Sequence, residues 1–155
     1  MKTAESILEE LKLLTTEEIE QIGHVIRAMR KTKEEGMHYT GRLFGLDFDS
    51  NGDMFMDLGM QNANTYGVAQ GGAVYTLADV AIGYNIMTKI PEDTEVYTLE
   101  LKMNYVKPGK GKRLYAKPLI SHLGYRTVVC ECKVLDDHDE LVAIALGTFY
   151  LKRPK

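Results

Sequence analysis

Cysteine is scarce in this chain of 155 residues: there are two, Cys130 and Cys132. On a strand they would point to the same face, a placement that argues against a mutual disulfide. No further Cys or His stands where a zinc site would need it. The pair reads as two small side chains, in the core or on the surface, of a protein kept in a reducing compartment. Long apolar runs are missing as well. None approaches the ~20 residues of a membrane span. The opening Met1-Lys2-Thr3-Ala4-Glu5-Ser6 carries acid early and lacks the apolar core of a signal peptide, so a cytoplasmic protein is expected. Charge of one sign is not in excess. Nineteen Lys and Arg stand against 22 Asp and Glu, a net −3, too little to indicate a nucleic-acid or membrane partner. His24, His38, His122 and His138 show no ligand spacing and read as exposed or capping residues. There is no Walker loop and no G-x-G-x-x-G. Neither metal nor cofactor is expected. Ser121 and His122 are adjacent and would face opposite ways on a strand, which argues against a serine hydrolase.

What is present is an ordinary globular balance, 45 % hydrophobic and 26 % charged, at a length that suits one domain. Residues 4–13 read as a short helix with Ile7, Leu8 and Leu11 on one side. Thr15-Thr16-Glu17-Glu18 fits a capping box. It opens a second helix with Ile19, Ile22, Val25, Ile26 and Met29 at helical spacing, ending at Gly36. Tyr39 to Phe48 reads as a strand, Asn51-Gly52 as a hairpin turn, and Met54 to Met60 as the returning strand. Gly71 to Thr88 has helical length and is apolar nearly all round, the pattern of a buried helix. Residues 96–106 alternate, with Tyr97, Leu99, Leu101, Met103 and Tyr105 on one face. Arg113–Ile120, Thr127–Leu135 and Leu141–Leu151 follow as strands. The expectation is an α+β domain, a curved antiparallel sheet wrapped around one long helix. Residues 1–36 would form an N-terminal helical extension to a domain over 37–155.

Between Leu58 and Thr88 the only formal charge is Asp79. A carboxylate in apolar surroundings is costly unless hydrogen-bonded, which leaves two readings: a cap or ion-pair partner, or a functional group. Eight residues earlier, Gln70-Gly71-Gly72 opens the helix. Free amides at a helix start, with the positive end of its dipole, suit an oxyanion formed on an attacked carbonyl. A plain loop-to-helix turn is the alternative. Eight residues on one helix span about 12 Å. A base and an oxyanion donor must reach the same few atoms. If both act, they come from different subunits, and two equivalent sites lie at a two-fold interface.

Asn64-Thr65-Tyr66-Gly67-Val68-Ala69-Gln70-Gly71-Gly72-Ala73-Val74-Tyr75-Thr76-Leu77-Ala78-Asp79 resembles the N-x-x-G-x-x-H-G-G-x-x-x-x-L-A-D signature of PaaI-type hotdog acyl-CoA thioesterases. Thr98 to Pro108 and Gly124 to Val129 match further, so the likeness covers roughly residues 38–151. The resemblance implies a hotdog fold, hydrolysis of an acyl-coenzyme A, and assembly to dimers and commonly tetramers. It implies Asp79 as base or nucleophile and the Gly71 amide of the opposite subunit as the group polarising the thioester. Asn64 and Thr98 match positions that help place the attacking water or the carbonyl. Lys107, Lys110, Lys112 and Arg113 form a basic turn and Arg126 opens the next strand. Together with Gly72, Lys107 and Arg126 are the expected substrate contacts, the basic rim meeting the phosphates of coenzyme A, and a plain solvated turn is the alternative. Gln70 stands where the signature has His; it can still donate a hydrogen bond but carries no titrating charge. Two other readings compete. A non-catalytic acyl-CoA sensor would use residues 1–36 on DNA, but these hold six basic against eight acidic residues, a poor match to phosphate. A hotdog dehydratase would need a His near Asp79, and none is near in sequence.

Overall fold

The computed structural model describes residues 3–34 and 36–154. The chain divides into two compact units between Leu43 and Phe44.

The first unit is helical. Helix α1 (Ala4–Leu11) starts at Thr3, whose hydroxyl accepts from the Ser6 amide. Helix α2 (Thr16–Glu34) opens on the expected capping box: Glu18 accepts from the Thr15 amide at 2.8 Å, and Thr15 accepts from the Glu18 amide at 3.3 Å. The expected helix end passes through Glu35, which lies outside the described residues; Gly36 has the left-handed φ of +72° that suits a helix stop. A third helix, α3 (Tyr39–Leu43), replaces the first half of the strand expected over residues 39–48.

The second unit is one six-stranded sheet and one long helix. Strands β1 (Leu46–Phe48) and β2 (Met54–Asp57) form the hairpin closed by Asn51-Gly52, with Gly52 at φ +82°. The returning strand is shorter than its apolar run, because Met60–Asn62 coil into a 3₁₀ turn. Helix α4 (Gly71–Met87) follows, then β3 (Glu95–Tyr105), β4 (Arg113–Leu123), β5 (Thr127–Asp136) and β6 (Leu141–Lys152). The order β1-β2-β4-β5-β6-β3 is antiparallel throughout, with β1 and β3 at the edges. The core lies between α4 and one face of the sheet, where Leu77, Ile82 and Ile86 meet Leu114, Val128, Val134, Phe149 and Leu151, all fully buried. This is the curved sheet around a helix of the hotdog fold. Cys130 and Cys132 belong to that core, unpaired. Burial pushes their thiols up, to about 11 and about 12.

Two features of α4 and β3 differ from the sequence pattern, and both shape the site. Helix α4 is not covered all round: Gly72, Tyr75, Thr76, Asp79, Gly83 and Met87 form a stripe that is half-buried or exposed. Strand β3 does not alternate evenly. Thr98 pairs with Phe149 and Glu100 with Thr148, so Leu99 is an extra, bulged residue. Because side chains alternate, the bulge moves Thr98 onto the helix-facing side with Leu101, Met103 and Tyr105. Leu99 is left 59 % exposed.

Candidate active site

The approach to α4 is set by Asn62 and Asn64. Asn62 is buried; its amide donates to the carbonyls of Phe44 and Asp57, both at 2.8 Å, and its own carbonyl accepts from the Gln70 amide. Asn64 folds the next loop, its Oδ1 accepting from the amides of Tyr66 and Val68 at 2.9 and 3.3 Å. The sequence marked Asn64 for water or carbonyl placement. Here its oxygen is engaged in a local turn. Gln70 is the N-cap of α4: Oε1 accepts from the Ala73 amide at 2.9 Å. Among the described residues the amides of Gly71 and Gly72, in the first turn, meet no acceptor. These are the free donors of a helix start.

Asn64, Gly71, Tyr105, Lys107 and Lys110 line a cavity of about 590 Å³, walled by Val68, Val74, Val106 and Val142. The size falls within the usual range of small-molecule sites. Asp79 and Thr98 are not part of this cavity. They meet farther along the helix, where Thr98 Oγ1 donates to Asp79 Oδ1 at 2.8 Å.

Both ends are tied to the same strand. Tyr105 Oη donates to the Gly71 carbonyl at 2.7 Å, Tyr75 Oη to the Leu101 carbonyl at 2.9 Å, and Thr98 to Asp79. Residues 71, 75 and 79 lie four apart, one face of a helix, and are matched in reverse by 105, 101 and 98 of β3. Sequence reasoning missed Tyr75 and Tyr105. The signal for Tyr105 was its place on the helix-facing side of a strand carrying Thr98. Burial raises the Tyr105 phenol above its ordinary value, the nearby Tyr75 adding to the effect, so the hydroxyl keeps the proton it donates.

Lys107 lines the cavity, but its ammonium is held by Asp136 at 2.8 Å and by Glu140. Its charge is thus already paired with two carboxylates. Lys110 lines the same cavity and has no ion pair among the described residues. Arg126 sits exposed at the β4–β5 turn, away from the cavity, its carbonyl accepting from the Leu151 amide. Lys107 holds the Asp136 carboxyl down at about 2, with the amides of His138 and Glu140 adding to the effect. A carboxylate depressed on folding contributes stability that is complete above its unfolded value, near pH 4, and is lost as pH falls through the folded value. Lys107→Met should therefore move the midpoint of acid unfolding to higher pH, followed by circular dichroism between about pH 5 and pH 2.

Comparison with known proteins places this geometry in a family. The model of the thioesterase superfamily matches residues 66–143, the stretch from the α4 approach to the start of β6. A curated relative, "Putative esterase SSO1253" of Saccharolobus solfataricus, is 33 % identical over 87 residues, 56 % of this chain and 57 % of that protein. The chain thus spans somewhat more than half of that relative's length. Among solved structures, the BH2602 protein of Bacillus halodurans with CoA is similar at TM-score 0.88 and 27 % identity, covering 97 % of this chain and 100 % of that one. Thioesterase HI1161 of Haemophilus influenzae shares the fold at TM-score 0.70 and 17 % identity, over 74 % of this chain and 82 % of its own. With the matched segment running through Gly71, Asp79, Thr98 and Tyr105, the chain belongs to the thioesterase superfamily.

Proposed function

We propose that the protein hydrolyses an acyl-coenzyme A to the free acid and coenzyme A, with Asp79 as base or nucleophile. The observation that carries this reading is the juxtaposition on α4. The single carboxylate of residues 59–87 is oriented by Thr98, and the first turn of the same helix carries the unengaged amides of Gly71 and Gly72, with Gly71 lining a cavity. A water deprotonated by Asp79 adds to the thioester carbonyl, whose oxygen is held by the amides. Collapse expels the thiolate, which takes up the proton. Direct attack by Asp79, through a mixed anhydride that water then cleaves, uses the same groups. The Bacillus halodurans relative was solved with CoA, and Lys110 in the cavity lining is suited to one of its phosphates.

The two halves belong to different subunits in this reading, about 12 Å apart within one. Support comes from what one protomer leaves uncovered: the α4 stripe with Asp79, and the outer edge of β3, which pairs with β6 alone. An unpaired edge beside an uncovered helix face suits a second copy. A two-fold dimer, able to pair further into a tetramer, completes two sites. The PaaI-type group is the member of the superfamily it fits, by its Gly71-Gly72 and Asp79 spacing, with Gln70 in place of His.

The test is thiol release by the purified chain over a panel of aryl and medium-chain acyl-CoAs. Release well above the uncatalysed rate is expected for at least one class. Tight binding of acyl-CoAs with no release would establish the sensor reading instead. That reading draws on Gln70, whose oxygen is spent on its own helix cap.

A further inference from the structure

Helix α2 carries an apolar seam that its own helical unit leaves partly exposed. Ile19, Ile22, Ile26 and Met29 are 43, 37, 45 and 52 % exposed, and Ala28 is the only buried one among the described residues of the helix. Helices in water draw most of their stability from packing an amphipathic face, so a partly exposed seam of this kind calls for a partner. Its spacing indicates which. The intervals are 3, 4 and 3, the a/d pattern of a coiled-coil seam, and they are symmetric about residue 24. When two copies of α2 run antiparallel about that point, Ile19 of one faces Met29 of the second copy, and Ile22 faces Ile26. Every layer is apolar on both sides.

Charge selects the same direction. The first turns hold Glu17, Glu18 and Glu20; the last turns hold Arg27, Arg30, Lys31 and Lys33 against the single acid Glu34. Antiparallel pairing lays the acidic end of one helix along the basic end of the other and opposes their dipoles. Parallel pairing would stack like charges at both ends.

We infer that α2 is a self-association surface, on which two copies of this chain pair antiparallel through Ile19, Ile22, Ile26 and Met29. The partner is a second copy, and the inference does not depend on the catalytic reading.

Cysteine cross-linking of the full chain tests it. Ile19→Cys with Met29→Cys in one chain places thiols about 15 Å apart along one helix, beyond the reach of an internal disulfide. In the antiparallel pair each meets its counterpart on the second copy. Mild oxidation should convert most of the double variant to a covalent dimer on a non-reducing denaturing gel, while either single variant stays monomeric there. Cross-linking of the single variants would show a parallel pair and overturn the inference, as would absence of a dimer in the double variant. Hydrogen exchange gives an independent reading. Ile22→Glu should lower amide protection across residues 19–29, and unchanged protection would count against the pairing.

Discussion

Asp79→Asn should give a folded protein that releases thiol from acyl-CoA about 10³-fold more slowly than the wild type, within the range lost with a general base. The substitution is nearly isosteric. An asparagine oxygen can still accept from Thr98, so the α4–β3 rung at 2.8 Å is kept. Asp79 lies on the uncovered stripe of α4, so the exchange of carboxylate for amide leaves no new polar group buried without a partner. The melting temperature should accordingly be nearly unchanged. Thermal melts and thiol-release kinetics on the same preparation separate the two effects. Hydrolysis within tenfold of wild type would remove Asp79 from the chemistry. Where the loss is seen, single turnover in heavy-oxygen water distinguishes the two roles: label in the enzyme carboxylate marks a nucleophile, label in the product acid alone marks a base.

The residues that announced themselves in the sequence were those at odds with their surroundings. Asp79 stood out because nothing else from Gly59 to Met87 is charged, and α4 because its apolar run has helical length. The periodicity of β4, β5 and β6 was legible because each buries one face, Cys130 and Cys132 included. Local pattern failed where tertiary contacts decide. Residues 39–43 coil into α3 although they read as strand, and the change to β1 occurs at Gly45, φ +83°, where a Cβ would stand 2.9 Å from the Asp57 carbonyl oxygen. The bulge at Leu99 leaves no mark in an evenly alternating segment; only pairing with β6 determines which residue is skipped. Lys107 read as a free cation because its partners, Asp136 and Glu140, are some thirty residues away. The Tyr105 and Tyr75 bonds to main-chain carbonyls are invisible for the same reason.

Gly71→Pro should lower the rate about 10²- to 10³-fold, the loss typical of one oxyanion donor, and it does so by deleting a single N–H. Gly71 is the first residue of α4, the position at which proline is best tolerated. Gln70 before it already has φ −69° and ψ 134°, the extended region that a following proline demands. A Cβ at residue 71 would lie 3.4 Å from the Tyr105 ring, an ordinary contact, and the carbonyl that Tyr105 holds is untouched. The variant should fold, and its defect should complement that of Asp79→Asn. In a two-fold dimer one site takes Asp79 from the first subunit and the amide from the second, and the other site the reverse. A heterodimer of one Asp79→Asn and one Gly71→Pro protomer, isolated through two different tags, then has both lesions in one site and none in the other. It should recover about half of the wild-type rate per dimer, although each parent is nearly inactive. If base and donor instead came from the same chain, each site would carry one lesion and nothing would be recovered. Rate recovery in the heterodimer thus decides between a shared and a self-contained site without any further structure.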